Sequence, residues 1–166
     1  DYAGLSKNAR NLWDKINQIY LTKKKETTKN KSLMDNLNRW SKLINERQLS
    51  NIKVVYNNSG STINAAIIEG NYLITGDLSF FDTEDINEAY YLLAVLNSPI
   101  LTKQIRIKKS SRHIFKLPLN TPIKKFNSKN SRHRKLVDLA KKAKKLSRKI
   151  YDDFKQKEEK ITKYKL

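Results

Sequence analysis

Residues 86–99 read INEAYYLLAVLNSP. This stretch decides the fold because it predicts a helix with one apolar face and a well-defined C-terminal end. Asn97-Ser98-Pro99 ends the pattern, since a proline disfavours helical backbone in the residue before it. At the other end, Asp82 and Asp85 have the spacing of a capping pair, so we predict that the helix begins near Asp82 or Thr83. The apolar face recurs with the period of a helix and comprises Ile86, Ala89, Tyr90, Leu93 and Leu96.

Three short runs before this helix are rich in apolar and β-branched residues and predict strands. The first, IKVVY at residues 52–56, ends at the turn signal NNSG at residues 57–60. We predict two further strands over residues 63–68 and 71–75, each followed by a glycine. A fourth run after the helix, IFKLPL at residues 114–119, also predicts a strand, and its proline places that strand at a sheet edge or at its own end.

Together these elements predict an α+β fold. A small mixed or antiparallel sheet from residues 52–75 and 112–119 is expected to pack on the helix at residues 83–97, with helices at both ends of the chain. The predicted domain organisation is a helical N-terminal segment at residues 1–50, an α+β core at 51–130 and a basic C-terminal helix at 131–166.

Helical periodicity also marks both ends of the chain. Near the N terminus it predicts two helices separated by a polar loop at residues 22–31, with Ser32 capping the second helix. Residues 100–107 fit either a short helix or a strand, and from Ser131 onward a long helix with one narrow apolar stripe is predicted. The apolar positions of the three long patterns are Leu12, Ile16, Ile19 and Tyr20; Leu33, Leu37, Trp40 and Ile44; and Leu136, Leu139, Ala143, Leu146, Ile150 and Phe154.

Charge is segregated along the chain, whose formal net charge is +19. Residues 1–49 carry 11 basic and 5 acidic side chains, and residues 50–102 carry 1 and 6. Residues 103–166 carry 23 basic side chains against 5 acidic ones, so nearly the whole excess lies in the last third. Such segregation indicates a surface that meets a polyanion, and nucleic acid is the commonest one.

Composition excludes several classes of protein. The chain has no cysteine, which rules out disulfides and thiolate metal sites and suits the cytoplasm. No pair of its four glycines has the spacing of a phosphate-binding or dinucleotide-binding loop. No apolar run reaches the ~18 residues that cross a bilayer, so no membrane partner is expected. The first residue is Asp rather than Met, and we expect the chain to be a segment of a longer protein.

Few residues are suited to catalysis. His113 and His133 have no cysteine or carboxylate nearby at metal-ligand spacing, so we expect no metal site and interpret both as surface or polar-contact residues. A carboxylate–lysine cluster near the C terminus has the residue types of a nuclease site, but a solvated helix face is the preferred interpretation. This cluster comprises Asp152, Asp153, Glu158, Glu159 and Lys160.

The candidate binding residues lie in two polar segments. The loop at residues 108–113 offers lysine, arginine, histidine and hydroxyl groups that suit phosphate oxygens and base edges, with a solvated loop as the alternative. The asparagines at residues 57–58 either present amides to a groove or simply form the turn. The aromatic residues Tyr90, Tyr91, Phe115 and Phe126 are assigned to the core instead. The candidate binding residues are thus Asn57, Asn58, Ser59, Lys108, Lys109, Ser110, Ser111, Arg112, His113 and Lys116.

Several short motifs follow one another in a recognisable order. They are KVVYNNSG at residues 53–60, AAII at 65–68, EAYYLLAVLNSP at 88–99, RHIFK at 112–116, and then Pro118, Pro122-Ile123, Phe126-Asn127, His133 and Leu136. This series resembles the C-terminal target-recognition region of DNA adenine-N6 methyltransferases, above all of type IIG restriction–modification enzymes, in which methyltransferase and endonuclease share one chain. The helix that ends in LNSP is also similar to the recognition domains of type I specificity subunits. Residues 12–20 and 33–48 resemble the region joining the catalytic and recognition parts of the type IIG enzymes.

The resemblance implies that this chain is the sequence-specific DNA-recognition part of a restriction–modification adenine methyltransferase. Its partners would be double-stranded DNA and a catalytic methyltransferase domain in the same longer chain, linked through residues 1–50. The family's catalytic motif, Asn/Asp-Pro-Pro-Tyr/Phe, is missing, and Asn97-Ser98-Pro99-Ile100 does not replace it, since it lacks the aromatic residue. The segment itself is therefore expected to need no cofactor and to be no enzyme. The full-length protein would use S-adenosylmethionine, and Mg²⁺ for cleavage.

Three other functions stay open at the level of the sequence. A basic RNA-binding or ribosome-associated protein fits the charge, but the chain lacks an evident aromatic platform for stacking bases. A small nuclease would use the carboxylates near the C terminus. A protein-interaction module would dock through the apolar stripe of residues 136–154, whose basic flanks either contact phosphates or keep the helix in solution.

Overall fold

The structure is a computed structural model, and it divides the chain into two compact units, residues 1–46 and residues 47–166. We call them the N-terminal unit and the C-terminal unit and describe each by itself. Among the described residues, the buried apolar side chains all belong to the C-terminal unit. The described residues are 2–29, 31–42, 45–109 and 111–163, the last five of them by backbone only.

Two helices make up most of the N-terminal unit. Ser32 caps the second helix as predicted: its side chain accepts the Asp35 N–H, and the Asp35 carboxylate accepts the Ser32 N–H. The Leu33 N–H donates to the side-chain oxygen of Asn17 at 3.0 Å, which joins the two helices. The helices are α1 (Lys7–Lys23) and α2 (Leu33–Leu37), and 3₁₀ turns lie at Tyr2–Gly4 and Arg39–Ser41.

The second helix is shorter than the apolar pattern of residues 33–44 predicts. The helix ends at Leu37, and Trp40 and Ser41 then adopt left-handed backbone with φ of 60° and 55°. A right-handed helix does not continue through that conformation, and Trp40 is 75% exposed instead of lying on a buried face. Ile44, the last residue of the predicted pattern, lies outside the described residues.

A three-stranded antiparallel sheet begins the C-terminal unit. Its spatial order is β2-β1-β3, so the central strand is paired on both sides and is the most buried of the three. Val54 lies opposite Ile67 on one neighbour and Phe81 on the other. The antiparallel alternative of the predicted sheet is therefore confirmed. The strands are β1 (Ile52–Asn57), β2 (Ala65–Glu69) and β3 (Leu78–Thr83).

Three helices complete the C-terminal unit: α3 (Ile86–Leu96), α4 (Pro99–Lys108) and α5 (Ser131–Lys163). The stop between α3 and α4 is confirmed, because Ser98 caps α4 and Pro99 lies in its first turn. Residues 100–107 are thus helical. α3 packs on both the sheet and α5, which confirms the α+β class with a long C-terminal helix. None of the described helices has a stretch long and apolar enough to cross a membrane.

The core lies between the sheet and α3. The side chain of Asn97 fixes the end of α3 to β2, since it accepts the Ala65 N–H at 2.9 Å and donates to the Ala65 carbonyl at 3.0 Å. His133 of α5 is also buried, and its Nδ1 accepts the Asn127 N–H at 3.0 Å. The buried apolar residues of the core cluster are Val54, Tyr56, Ile63, Ala89, Tyr91, Leu92, Leu96, Leu101, Ile105, Ile114 and Val137.

The third strand is not where the sequence places it. Residues 71–75 form no ladder, and β3 lies at Leu78–Thr83 instead. Within β3, Phe80 and Phe81 pair with β1, and this pairing keeps Asp82 in the sheet, where it contacts Arg47 at 2.5 Å. The helix therefore begins later than predicted, and Asp85 alone caps it by accepting the Asn87 N–H at 2.8 Å.

The strand predicted at residues 112–119 is wrong. Apart from one bridge between Ser59 and His113, this segment forms successive turns. Pro118 has no N–H for a ladder, and Phe115 adopts a left-handed backbone with φ of 43°, so neither residue suits a regular strand. Ile114 and Pro118 are buried and anchor the turns to the core, although they do not form a sheet edge.

Candidate nucleic-acid interface

Two segments that lie far apart in the sequence meet beyond the C-terminal end of β1. The Gly60 N–H donates to the Arg112 carbonyl at 2.9 Å, and the Ile114 N–H donates to the Asn58 carbonyl at 2.8 Å. Ser59 and His113 form the bridge between them. We call residues 57–62 and 106–116 the loop pair. Every predicted binding residue belongs to it, although Ser110 lies outside the described residues.

The side chains of Asn57 and Asn58 are engaged in hydrogen bonds within the protein. Asn57 donates to the Thr62 carbonyl at 3.0 Å and accepts the Asn64 N–H at 2.8 Å. Asn58 donates to the Gly76 carbonyl at 2.7 Å and accepts from the Ser79 hydroxyl at 2.6 Å. An asparagine amide has few further hydrogen-bonding positions. Of the two interpretations left open by the sequence, this geometry favours the turn.

Two basic side chains of the second loop bind the first loop. Lys109 donates through Nζ to the Gly60 carbonyl at 2.7 Å, and Arg106 donates through Nε to the Ser61 carbonyl at 2.7 Å. Carbonyl oxygens of the turn thus hold two cations at the surface. Arg106 is absent from the predicted binding residues. Its place near the C-terminal end of the helical pattern at residues 100–107, next to the basic loop, is the signal that could have found it.

Three cations of the loop pair have no such partner. Lys108, Arg112 and Lys116 are exposed, and within the described residues their side chains take part in no hydrogen bond or ion pair. Ser111 accepts the His113 N–H at 3.2 Å and so shapes the loop between them. The side chains of these three cations are thus free to contact an anion, and their role as phosphate contacts stays a prediction.

Phe115 lies outside the core, contrary to the sequence-based assignment. It is 52% exposed, and its ring stacks on His113 with a centroid distance of 4.6 Å and an interplanar angle of 12°. The Phe115 carbonyl accepts the hydroxyl of buried Tyr56 at 3.0 Å. The other three aromatic residues assigned to the core, Tyr90, Tyr91 and Phe126, do pack there.

The second loop of the loop pair lies in a sequence segment without acidic residues. No acidic residue occurs between Glu88 and Asp138. Within the described residues, no lysine or arginine of residues 103–135 forms an ion pair with a carboxylate. Asp77 lies beside the first loop, where its carbonyl accepts the Asn58 N–H at 3.0 Å. The cations of the second loop outnumber this single neighbouring acid, so the surface attracts anions.

The residues considered for catalysis are scattered. His133 is buried beside Tyr91, with ring centroids 4.6 Å apart, whereas His113 lies in the loop pair. Asp152, Asp153 and Glu158 are exposed on α5, and the side chains of residues 159–160 are outside the description. The described residues contain no group of three or more histidines and carboxylates that could hold a metal ion.

The apolar stripe predicted on α5 is mostly exposed: Leu136 is partly buried, whereas Leu146, Ile150 and Phe154 are about half exposed or more. The buried apolar residues of this helix within the described part of the chain, Val137 and Ala140, lie outside that stripe. A groove of about 620 Å³ opens between β2, α3 and α5, with Ala66, Ala94 and Tyr151 among its lining residues. This groove is an apolar surface next to the core, and Ala143 is the one member of the predicted stripe among its lining residues.

No protein-family model matches this chain, and no curated protein or solved structure matches it either. The resemblance to methyltransferase target-recognition regions is therefore a basis for a proposal and not for assignment to a family.

Proposed function

We propose that the C-terminal unit recognises double-stranded DNA sequence-specifically through the loop pair. The observation that carries this proposal concerns the segment from the end of α4 to residue 116, which is hydrogen-bonded to the turn after β1. This segment carries three cations that are exposed and unpaired within the described residues: Lys108, Arg112 and Lys116. The motif order that resembles target-recognition regions of adenine methyltransferases supports the same function.

Phosphate contacts would supply most of the affinity. Each phosphate neutralised by a lysine or arginine releases counterions, so the logarithm of the binding constant falls with the logarithm of salt by about 0.9 per contact. Lys108 and Lys116 flank Arg112 and would fix the position of the loop on the backbone. This term is independent of sequence and accounts for register rather than specificity.

We expect Arg112 to contact the bases, because an arginine side chain has the geometry that base recognition requires. Arginine presents two parallel donors that match the O6 and N7 acceptors of guanine in the major groove. Arg112 is exposed, and the hydrogen bond from the Gly60 N–H to its carbonyl holds its backbone in place, so its side chain would reach the groove from a fixed Cα. Recognition by this unit would direct a catalytic methyltransferase domain in a longer chain, where S-adenosylmethionine would be bound.

The test compares two variants that remove the same number of charges. Lys108, Arg112 and Lys116 are replaced together by alanine, and the control replaces Lys142, Lys145 and Lys149, which are exposed on α5. Binding of the whole chain to a labelled DNA duplex is measured by fluorescence anisotropy at several salt concentrations. We expect the loop variant to flatten the salt slope by about 2–3 and the control to change it much less.

Two outcomes would argue against the proposal. Equal losses in both variants would mean that the charge acts diffusely rather than through the loop pair. A structured RNA that displaces the DNA duplex at matched salt, with higher affinity, would favour the RNA-binding alternative.

A further inference from the structure

Phe115 presents an aromatic ring in the second segment of the loop pair, between Arg112 and Lys116 in the sequence. One face of the ring stacks on His113, and the side chain remains 52% exposed. Arg112 and Lys116 lie close to it in the sequence and are also exposed. One ligand could therefore stack on the Phe115 ring and be attracted by the charges of the neighbouring cations.

The backbone of Phe115 is held in a conformation that its side chain disfavours. Its φ of 43° lies in the left-handed region, where a bulky residue is an outlier and glycine or asparagine is usual. The core gains little from the ring, since half of it is exposed. Strained residues of this kind occur mainly at functional sites, where the surrounding structure maintains them.

The surrounding structure fixes Phe115 from three directions. The hydroxyl of Tyr56 donates to its carbonyl at 3.0 Å, and its N–H donates to the Asn58 carbonyl at 3.3 Å. The residue before it, Ile114, is 1% exposed and anchors the loop in the core. The ring is therefore positioned before any ligand arrives, which lowers the entropy lost on binding.

We propose that Phe115 stacks on a nucleobase that is displaced from the base stack of the bound duplex. This inference rests on the proposed DNA-binding function and identifies a nucleobase as the ligand of Phe115. Every base has a flat π-face, and aromatic side chains that insert at a duplex or hold a splayed base use that face. Lys116 would contact a phosphate beside the displaced nucleotide, which leaves Arg112 to read a neighbouring base.

The experiment compares two short labelled duplexes of the same sequence. One carries a single unpaired 2-aminopurine, and in the other this base is paired with thymine. The whole chain should prefer the duplex with the unpaired base by roughly tenfold, since stacking of one base on an aromatic ring has about that effect. Phe115→Ala and Phe115→Leu should abolish the preference, because neither side chain offers a ring on which the unpaired base can stack. Phe115→Trp should keep the preference and quench the emission of 2-aminopurine.

The matched control is Tyr72→Ala. Tyr72 is 59% exposed and follows Gly70, whose N–H bonds to Asn51 at the opposite end of β1. Tyr72→Ala should leave the preference for the duplex with the unpaired base unchanged. Phe115→Leu retains an apolar side chain of similar size, and far-UV circular dichroism establishes that each variant is folded.

Each remaining outcome counts against the inference. Equal binding of the two duplexes by the wild-type chain, a preference that survives in Phe115→Leu, or equal weakening on both duplexes would overturn stacking by Phe115 while leaving DNA binding intact. A wild-type chain that binds neither duplex at low salt would reject the proposed function and this inference together.

Discussion

Tyr56 connects the core to the loop pair at the scale of a single residue. Its ring is fully buried in β1, and its hydroxyl donates to the Phe115 carbonyl at 3.0 Å. Burial raises the pKa of this hydroxyl above the ordinary value of 10.0, because ionisation inside the core is unfavourable, and a hydrogen bond with Ser79 partly opposes the shift. The residue thus stabilises both the sheet and the loop that carries Phe115.

Replacing Tyr56 by phenylalanine tests this connection. Tyr56→Phe keeps the ring in the core and removes the hydroxyl, with its bond to the Phe115 carbonyl and its interaction with Ser79. We expect the free energy of unfolding at neutral pH to fall by about 1 kcal/mol, which is the usual net value of one hydrogen bond. Urea unfolding followed by circular dichroism measures it, and an unchanged midpoint would mean that the hydroxyl does not support the loop.

The effect of Tyr56→Phe on stability should also depend on pH in the alkaline range. The unfolded chain ionises Tyr56 near pH 10, whereas the folded chain keeps the proton to higher pH, so the unfolded state binds fewer protons in that range. Stability conferred by the neutral hydroxyl is complete below about pH 10 and is lost as pH rises through the folded pKa. The difference in stability between wild type and Tyr56→Phe should therefore shrink above about pH 10.

At the scale of elements, the end of α3 and the start of β2 are joined by one side chain. Asn97 makes two hydrogen bonds with the backbone of Ala65, one as donor and one as acceptor, in the way a neighbouring strand would. These bonds satisfy backbone groups at the first residue of β2 that sit at a sheet edge. The junction holds β2 in register and closes the sheet over α3.

Asn97→Ala should therefore destabilise the C-terminal unit by about 1–2 kcal/mol, because two backbone groups lose their partners. Asn87→Ala is the matched control on the same helix, since Asn87 is exposed and bonds only to Lys141 among the interactions described for its side chain. The control should change stability by less than about 0.5 kcal/mol. Equal midpoints of thermal unfolding for the two variants would show that the junction adds nothing.

At the scale of the whole molecule, burial is confined to one unit. The C-terminal unit contains the apolar residues that are fully enclosed, whereas α1 of the N-terminal unit exposes Leu12 at 59% and Ile19 at 46%. The hydrophobic contribution to stability follows the area removed from water. We therefore expect the cooperative unfolding of the chain to report mainly on the C-terminal unit.

A pair of leucine substitutions checks this distribution. Leu96→Ala removes a side chain that is 0% exposed and should lower the free energy of unfolding by about 2–5 kcal/mol, through lost transfer energy and a cavity. Leu12→Ala makes the same chemical change at an exposed position and should lower it by less than about 0.5 kcal/mol. A large loss in Leu12→Ala would place part of the stabilising core in the N-terminal unit.

The sequence by itself determined the features that depend on neighbouring residues. Pro99 stops α3 and Ser98 starts α4 through local backbone chemistry, and the capping box of Ser32 is equally local. The run of valines and tyrosine before residues 57–60 identifies β1 in the same way. The concentration of positive charge in the last third of the chain is also a property of the sequence alone.

Only the tertiary structure decided what depends on distant partners. β3 occupies residues 78–83 rather than 71–75 because Phe80 and Phe81 find their partners on β1, and no local pattern contains that pairing. The segment around Phe115 forms turns rather than a strand, since Asn58 and Tyr56 bind its backbone from more than fifty positions away. The same long-range hydrogen bonds join the two predicted binding segments into one surface and expose Phe115. Periodicity reports which side chains are apolar, but the pairing of backbone groups across the fold determines which of them are buried.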